Sequence, residues 1–399
     1  MNSNRYNSEF WEWIERNKDK DPMKLRLRKD NGPEWIGDAI AHIENQKKSK
    51  KKFLLDSELS GVIPKLMPVA ISVEQATSAR IAQLHKEIAE SLMPDTREIL
   101  DMTCGLGVDT ALLSTIPRAN VIAIERDPKI AGVASENFKN VPNVTIFNAD
   151  SVECLQQSTL HFDLIFIDPA RRDTEGQRVF NIRDCSPNVC DLLPTLKSKS
   201  NAFMIKLSPM LDVSQTIKDL PGVSQIYIVE QNNECRELLA VFHKGTQDEP
   251  MLHVINESQQ FSFTKTTETD ANISFALPQK DMFLLEPSAA MMKAAPFKLI
   301  SERYGIEAIH PNTHLYIANE PVGGFIGKQN RIIDVLPFSS GNMKRLSKLH
   351  LSADVAVRNF PLTAEQLRQK LSIKKNGQER IVGITAIDGN QYILRLNPQ

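Results

Sequence analysis

Four acidic residues recur in the middle of this 399-residue chain, Asp101, Glu125, Asp150 and Asp168, each just beyond a short apolar run and roughly 20 residues from the next. Carboxylates so placed accept hydrogen bonds from hydroxyls and amines. The first opens the stretch Asp101-Met102-Thr103-Cys104-Gly105-Leu106-Gly107. Its two glycines let the backbone come close to a ligand and take positive φ. The loop leads into a helix over Val108 to Ser114, so unpaired N–H groups gather at its end and suit a negative ligand group. Taken alone, the glycine pair is also what an ordinary strand–turn–helix corner requires.

The runs that carry these acids have the rhythm of βαβ units. They cover Glu98 to Leu100, Asn120 to Ile124, Val144 to Phe147 and Phe162 to Ile167. Polar groups then gather at the C-terminal ends of parallel strands, where open sheets bind ligands. Glu125, in Glu125-Arg126-Asp127, can accept both hydroxyls of a ribose, and Asp150, before Ser151, can accept an adenine amine. A dinucleotide fold would want Gly-x-Gly-x-x-Gly, but the third position here is Thr110. An acid at the head of the loop also fits a cationic amino-acid moiety better than a pyrophosphate. Three more strands follow at Ala202–Leu207, Gln225–Val229 and Leu238–Phe242. The last two are joined by a short polar turn and should pair antiparallel.

The series Asp101-x-Thr103-x-Gly105-x-Gly107, Glu125, Asp150 and Asp168-Pro169-Ala170-Arg171 resembles the S-adenosyl-L-methionine (SAM) binding core of class I methyltransferases. The resemblance implies an α/β fold with a Rossmann-like, seven-stranded core. It implies SAM as cofactor, held by Asp101, Thr103, Cys104, Gly105, Gly107, Asp109, Thr110, Glu125, Arg126, Asp150, Ser151 and Asp168. Asp168-Pro169 would be the reactive corner. In amino-methyltransferases a similar motif has a second proline and an aromatic residue, where this chain has Ala170 and Arg171. The corner also looks like that of uridine C5-methyltransferases, which need a nucleophilic cysteine. The turn after the fifth strand, Leu207-Ser208-Pro209, has none, which favours N-methylation of a base. Arg171, Arg172 and Arg183 are placed to meet substrate phosphate, or equally to pair with Asp173, Glu175 or Asp184.

Around this core, residues 1–93 read as a helical domain, with Phe10, Trp11 and Ile14, then Trp35, Ile36, Ala39, Ile40 and Ile43, at helical spacing. The run Lys47, Lys48, Lys50, Lys51 and Lys52 is a solvated helix face or a contact for nucleic-acid phosphate. A helix opening near Gln75-Ala76-Thr77-Ser78 and running to about Ser91 leads into the first strand, so Gln75, Thr77 and Ser78 are helix caps or cofactor contacts. The catalytic domain is read as 94–280, ending in an appended hairpin with Phe261 and Phe263 and a Thr-rich turn. Residues 281–322 hold a helix from Ser288 to Leu299 and a strand at His314 to Ile317. Pro311 and Asn312 keep His310 and His314 from sharing a helix face, so no metal site is expected. Residues 323–399 alternate strands and helices and carry twelve Lys or Arg against five acids, a net +7, while the whole chain is at −1. That asymmetry is an electrostatic footprint for nucleic acid, or else a solvated basic surface.

The whole organisation resembles a bacterial family of class I methyltransferases with a small ferredoxin-like segment and a C-terminal THUMP-like domain. The residues carrying this are Glu74-Gln75-x-Thr77-Ser78, Asp168-Pro169-Ala170-Arg171-Arg172, Glu234-Cys235-x-Glu237-Leu238-Leu239 and Ala353 to Leu362. THUMP domains belong to RNA-modifying enzymes, so the resemblance implies RNA, tRNA or rRNA, as partner. The rival readings are a methyltransferase of a small molecule or a protein, and a non-catalytic RNA-binding protein. Composition is ordinary for a soluble protein of two to four domains, with 24% charged and 41% hydrophobic residues. No apolar run approaches the roughly 18 residues that span a membrane, the first 30 residues are polar with no signal-peptide pattern, and five scattered cysteines suit reduced thiols. These points lead to the expectation of a cytoplasmic protein.

Overall fold

The apolar runs that end in acids fold as parallel strands, flanked by the helices that their spacing requires. A computed structural model describes residues 6–27, 33–53, 76–93, 95, 97–170, 181–245, 249–257 and 259–397. Two units divide the chain, one of Met1–Leu207, Thr216–Val223 and Ala240–Thr246, the other of Ser208–Gln215, Ser224–Leu239 and Gln247–Gln399.

The first unit begins with helices α1 (Ser8–Asn17), α2 (Pro22–Arg26), α3 (Ile36–Phe53) and α4 (Ala79–Leu92). Then come β1 (Glu98–Asp101), α5 (Val108–Leu113), β2 (Asn120–Glu125), α6 (Pro128–Phe138), β3 (Val144–Asn148), α7 (Ser151–Gln157), β4 (Phe162–Ile167), α8 (Val189–Lys199) and β5 (Ser200–Leu207). β1 lies between β2 and β4, parallel to both, with Ile99 opposite Val121 on one side and Leu164 on the other. β3 and β5 extend the sheet, also in parallel. The order is β3-β2-β1-β4-β5, with β7 (Glu234–His243) next. β4 is buried at five of its six positions, as expected of a parallel strand covered on both faces. The strand order reverses direction at β1 and β4, and the crevice outside their C-terminal ends is where such sheets take ligands.

The N-terminal helices are not a body apart. Phe10, Ile14, Leu25, Trp35, Ala39, Ile40 and Ile43 share one core with Leu106 of the glycine loop and Val133 of α6. Helical spacing announces an apolar face but not what covers it, so the sequence does not show this partner. α4 buries Ala79 and Ala82 against Val108, Ala111, Leu112 and Phe138. It starts at Ala79, with the Ser78 side chain accepting from the Ile81 N–H.

In the second unit the N-terminal half of β7 is followed across the sheet by β6 (Gln225–Gln231), β8 (Met251–Asn256) and β9 (Gln259–Phe263). α9 (Val213–Asp219), whose residues from Thr216 on belong to the first unit, precedes β6. The β8–β9 hairpin is the appended one, and it continues the sheet past the seven strands expected: β8 is parallel to β6 and β9 returns antiparallel, with Phe261 opposite Val254. The Thr-rich segment is a helix rather than a turn, α10 (Lys265–Asp270), because Thr264 and Thr267 form a reciprocal capping box.

A second sheet contains β10 (Phe283–Pro287), β11 (Glu307–Ala308), β12 (Tyr316–Ala318), β13 (Gly327–Pro337), β14 (Ser352–Arg358), β15 (Lys374–Thr385) and β16 (Gln391–Leu396), in the order β11-β12-β10-β13-β16-β15-β14. The expected helix from Ser288 to Leu299 is two, α11 (Ala289–Ala294) and α12 (Phe297–Tyr304). They part where Ala295 takes left-handed φ of 60° and Pro296 has no N–H to continue the ladder. α13 (Ser340–Ser347) and α14 (Ala364–Lys370) complete the unit. β13, from the segment read as 323–399, joins it to the segment read as 281–322: its first half pairs with β10 and its second with β16. Leu284, Ile309, Leu315 and Ile317 from one segment share a core with Val382, Ile384, Leu394 and Leu396 from the other.

Candidate active site

The glycine loop is tied to both strands that flank β1. The Met102 N–H donates to the Phe166 carbonyl at the end of β4, 2.9 Å away, and the Cys104 N–H to the Ile124 carbonyl of β2 at 3.0 Å. Gly105 and Gly107 both have left-handed φ, +56° and +87°, for different reasons. A Cβ on Gly107 would lie 2.3 Å from the Phe138 ring, whereas one on Gly105 would meet nothing within 4 Å. Gly107 is therefore a packing requirement, and Gly105 leaves an open stretch of backbone above the strand ends.

Acids stand at the strand ends beside that loop. Glu125 is half-buried and accepts from the Gly105 N–H at 3.0 Å and the Asp127 N–H at 2.8 Å. Asp150 is exposed and caps α7, one oxygen accepting from the Val152 and Glu153 N–H groups at 2.9 and 3.1 Å, with Ser151 as the first helical residue. Asp168 is half-buried, and its N–H donates to the Thr103 hydroxyl at 2.6 Å, fixing the Asp168-Pro169 corner to the loop. Arg126 is exposed beside Glu125.

Asp101 and Asp109 are buried beneath the loop instead of facing the opening. Asp101, 1% exposed, accepts from the Thr103 N–H at 3.0 Å and the Thr110 hydroxyl at 2.6 Å. Burial pushes its carboxyl up to about 7, opposed by those two hydrogen bonds and reinforced by the charges of Asp109 and Asp168. Asp109 pairs with His85 Nδ1 at 2.7 Å and accepts from the Thr77 hydroxyl at 2.5 Å. Burial would raise its carboxyl too, but His85, Lys206 and Thr77 together hold it below the ordinary carboxylate range. Cys104 is buried, which pushes its thiol well above the usual value, so it is no thiolate nucleophile at neutral pH.

Two residues that the sequence pattern did not single out complete the site. Lys206, from β5, lies 2.6 Å from an Asp168 oxygen and 3.1 Å from the Thr77 hydroxyl. His85, from α4, is fully buried against Phe166 and orients Asp109. A polar chain thus runs from His85 through Asp109, Thr77 and Lys206 to Asp168. The available signal was a lysine inside the apolar run Ala202-Phe203-Met204-Ile205-Lys206-Leu207, since a buried charge requires a partner. Arg183 sits in a 3₁₀ turn and pairs with Asp219 at 3.6 Å; of the acids named from sequence, Asp173 and Glu175 lie outside the described residues. Gln75, Arg171 and Arg172 lie outside the described residues.

Residues 283–325 match a family profile described as a ferredoxin-like domain, and residues 327–396 match one described as THUMP domain-like. A crystal structure of a Porphyromonas gingivalis W83 protein, described as a candidate methyltransferase, superposes with a TM-score of 0.83 at 28% identity over 98% of this chain and 97% of that one. The chain has the class I methyltransferase fold and ends in ferredoxin-like and THUMP-like domains. An RNA methyltransferase of Mycoplasma mobile, described as uncharacterised, is 28% identical over 102 residues; the match covers 23% of this chain and 28% of that relative's length. In this methyltransferase fold, Glu125, Asp150 and Asp168 lie at or just past the C-terminal ends of the parallel strands β2, β3 and β4. Among the described residues no group of three or more His, Cys, Asp or Glu is arranged to hold a metal ion, and no helix is long and apolar enough to cross a membrane. His314 stacks on Phe297, with ring centroids 3.7 Å apart.

Proposed function

We propose that this protein is a SAM-dependent methyltransferase acting on a base nitrogen of RNA. The observation that carries the reading is the Gly105 cradle: backbone open to a ligand, positive φ, the Glu125 carboxylate on its N–H, and Asp168 tied to the same loop through Thr103. A cationic sulfonium with a nucleoside attached suits that donor set, since the acids offset its charge and accept from its hydroxyls and amine. Glu125 would take the ribose hydroxyls, and Asp150 the adenine amine beside the Ser151 N–H. Asp101 and Asp109 would hold the loop from below and add negative potential. When bound, SAM supplies an electrophilic methyl group with a neutral thioether as leaving group. The chain's own part is to align donor and acceptor on one line and exclude water. Asp168 faces the acceptor and holds its N–H. The high Cys104 thiol supports nitrogen over covalent carbon chemistry.

RNA as the acceptor is supported by the THUMP-like region and its charge. Arg331, Arg345, Arg368, Arg380 and Arg395 are paired with acids. Lys328, Lys344, Lys348, Arg358 and Lys374 are exposed and suited to phosphate. Purified protein should bind SAM in a calorimetric titration and transfer labelled methyl to unmodified tRNA or rRNA transcripts. SAM binding with label appearing only in protein or metabolites would put the acceptor elsewhere. No SAM binding would end the reading.

A further inference from the structure

Asp168 does not stand alone at the reactive corner. The Lys206 ammonium is 2.6 Å from its carboxylate, with side-chain exposures of 14% for Lys206 and 34% for Asp168. A carboxylate only accepts and an ammonium only donates. A ligand edge that meets both must therefore present an N–H and an acceptor atom side by side. Resting on the function proposed above, we infer that Asp168 and Lys206 select the lactam edge of a nucleobase, the ring N–H beside a carbonyl found in guanine and uracil, and that the methyl group goes to that ring nitrogen.

The amidine edges of adenine and cytosine also offer an N–H next to an acceptor, so charge decides between the two. An exocyclic amine is neutral, and an ammonium bonded to its neighbouring ring nitrogen draws electron density away from it. A lactam nitrogen has the opposite need, because it becomes nucleophilic only on losing its proton. The ring N–H bond breaks and the proton passes to Asp168. The electron pair left behind is shared with the carbonyl oxygen, where Lys206 donates a hydrogen bond to the growing negative charge. The N–CH₃ bond forms as the methyl–sulfur bond breaks, its pair going to sulfur. Asp168 then returns its proton to water. Thr77 holds Lys206 at 3.1 Å and is itself fixed by Asp109 at 2.5 Å, so the ammonium is positioned before substrate arrives.

Two measurements test this. In the first, unmodified tRNA and rRNA transcripts, poly(I) and poly(A) are methylated by wild-type protein and digested to nucleosides for mass spectrometry. Label on guanine N1, uracil N3 or hypoxanthine N1 is expected. Label on an adenine or cytosine amine, or on a ring carbon, would overturn the inference while leaving RNA methylation standing. Tight SAM binding with no labelled nucleoside would remove both. The second reads binding instead of transfer: with S-adenosylhomocysteine saturating the adenosine pocket assigned to Glu125 and Asp150, saturation-transfer NMR compares inosine and adenosine 5′-monophosphates, which differ at the lactam. The inosine nucleotide should give the stronger signal, abolished in Lys206→Met, and an equal or stronger adenosine signal overturns the inference. Lys206→Met should lower the transfer rate by about 10²–10³-fold, as removal of one oxyanion donor does, and shift the rising limb of its pH profile upward. Lys206→Arg should recover part of the rate. A lysine that served only to balance buried acids would change thermal stability and leave the pH profile in place.

Discussion

Replacing Glu125 by alanine separates a ligand contact from a loop support. The carboxylate accepts from the Gly105 and Asp127 N–H groups at 3.0 and 2.8 Å, and the same group is assigned to the ribose hydroxyls. Hydrogen bonds to a charged acceptor are worth about 1.5–3 kcal/mol. The two hydroxyls share one carboxylate, so their contributions do not add in full, and a total of about 2–3 kcal/mol is expected. At about 1.4 kcal/mol per tenfold, the dissociation constant for S-adenosylhomocysteine should rise roughly 30- to 150-fold. Glu125→Gln keeps the size and one carbonyl oxygen but turns an amine toward groups that themselves donate, so its loss should be intermediate. Both variants are followed by calorimetric titration, with thermal melting alongside. A melting temperature within a few degrees of wild type with weakened binding supports the assignment. An unchanged dissociation constant in Glu125→Ala refutes it.

Other substitutions divide the site in the same way. Gly107→Ala should lower stability by at least about 1–3 kcal/mol, the usual cost of a left-handed non-glycine residue, because its Cβ also meets the Phe138 ring; Gly105→Ala should melt closer to wild type yet bind S-adenosylhomocysteine poorly, and the reverse ranking would contradict the cradle. Asp101 has a folded-state value near 7 against 3.8 unfolded, so its contribution is fully present below pH 4 and disappears as pH rises through 7. Asp101→Asn should therefore stabilise the protein at pH 8 by on the order of 4 kcal/mol, at about 1.4 kcal/mol per pKa unit, with the gain gone at pH 4; melts at the two pH values check this. Lys344→Glu, Lys348→Glu and Arg358→Glu together should weaken RNA binding and flatten its salt dependence by about one unit of slope for each phosphate no longer neutralised, with S-adenosylhomocysteine affinity unchanged. Deleting residues 327–396 is the poorer test, because β10 would lose β13 and Leu284 its core.

The strand ends are legible in the sequence because each carries its own signal: an apolar run, then an acid, with glycines where the backbone must turn. Glu125, Asp150 and Asp168 need no tertiary information. Asp101 and Asp109 are legible as members of the loop, but not as buried under it, since an acid's spacing does not reveal which side of a turn it faces. Lys206 interrupts an apolar run, but its role is hidden because its partner lies 38 residues away. His85 on an apolar helix face looks like any core histidine until Asp109 is placed opposite it. The shared core of Phe10 with Leu106 and the pairing of β13 with β10 across two segments are long-range facts that local periodicity cannot contain. The break at Ala295 is visible in Pro296.

The central claim, that this cradle delivers methyl groups to RNA, is tested most directly in a single turnover. Protein saturated with methyl-labelled SAM is mixed with unmodified RNA, and the label that becomes acid-precipitable is measured before and after ribonuclease treatment. The account predicts label that ribonuclease releases, and none when Asp168 is alanine despite intact SAM binding. Precipitable label that resists ribonuclease, or equal transfer by Asp168→Ala, would contradict it.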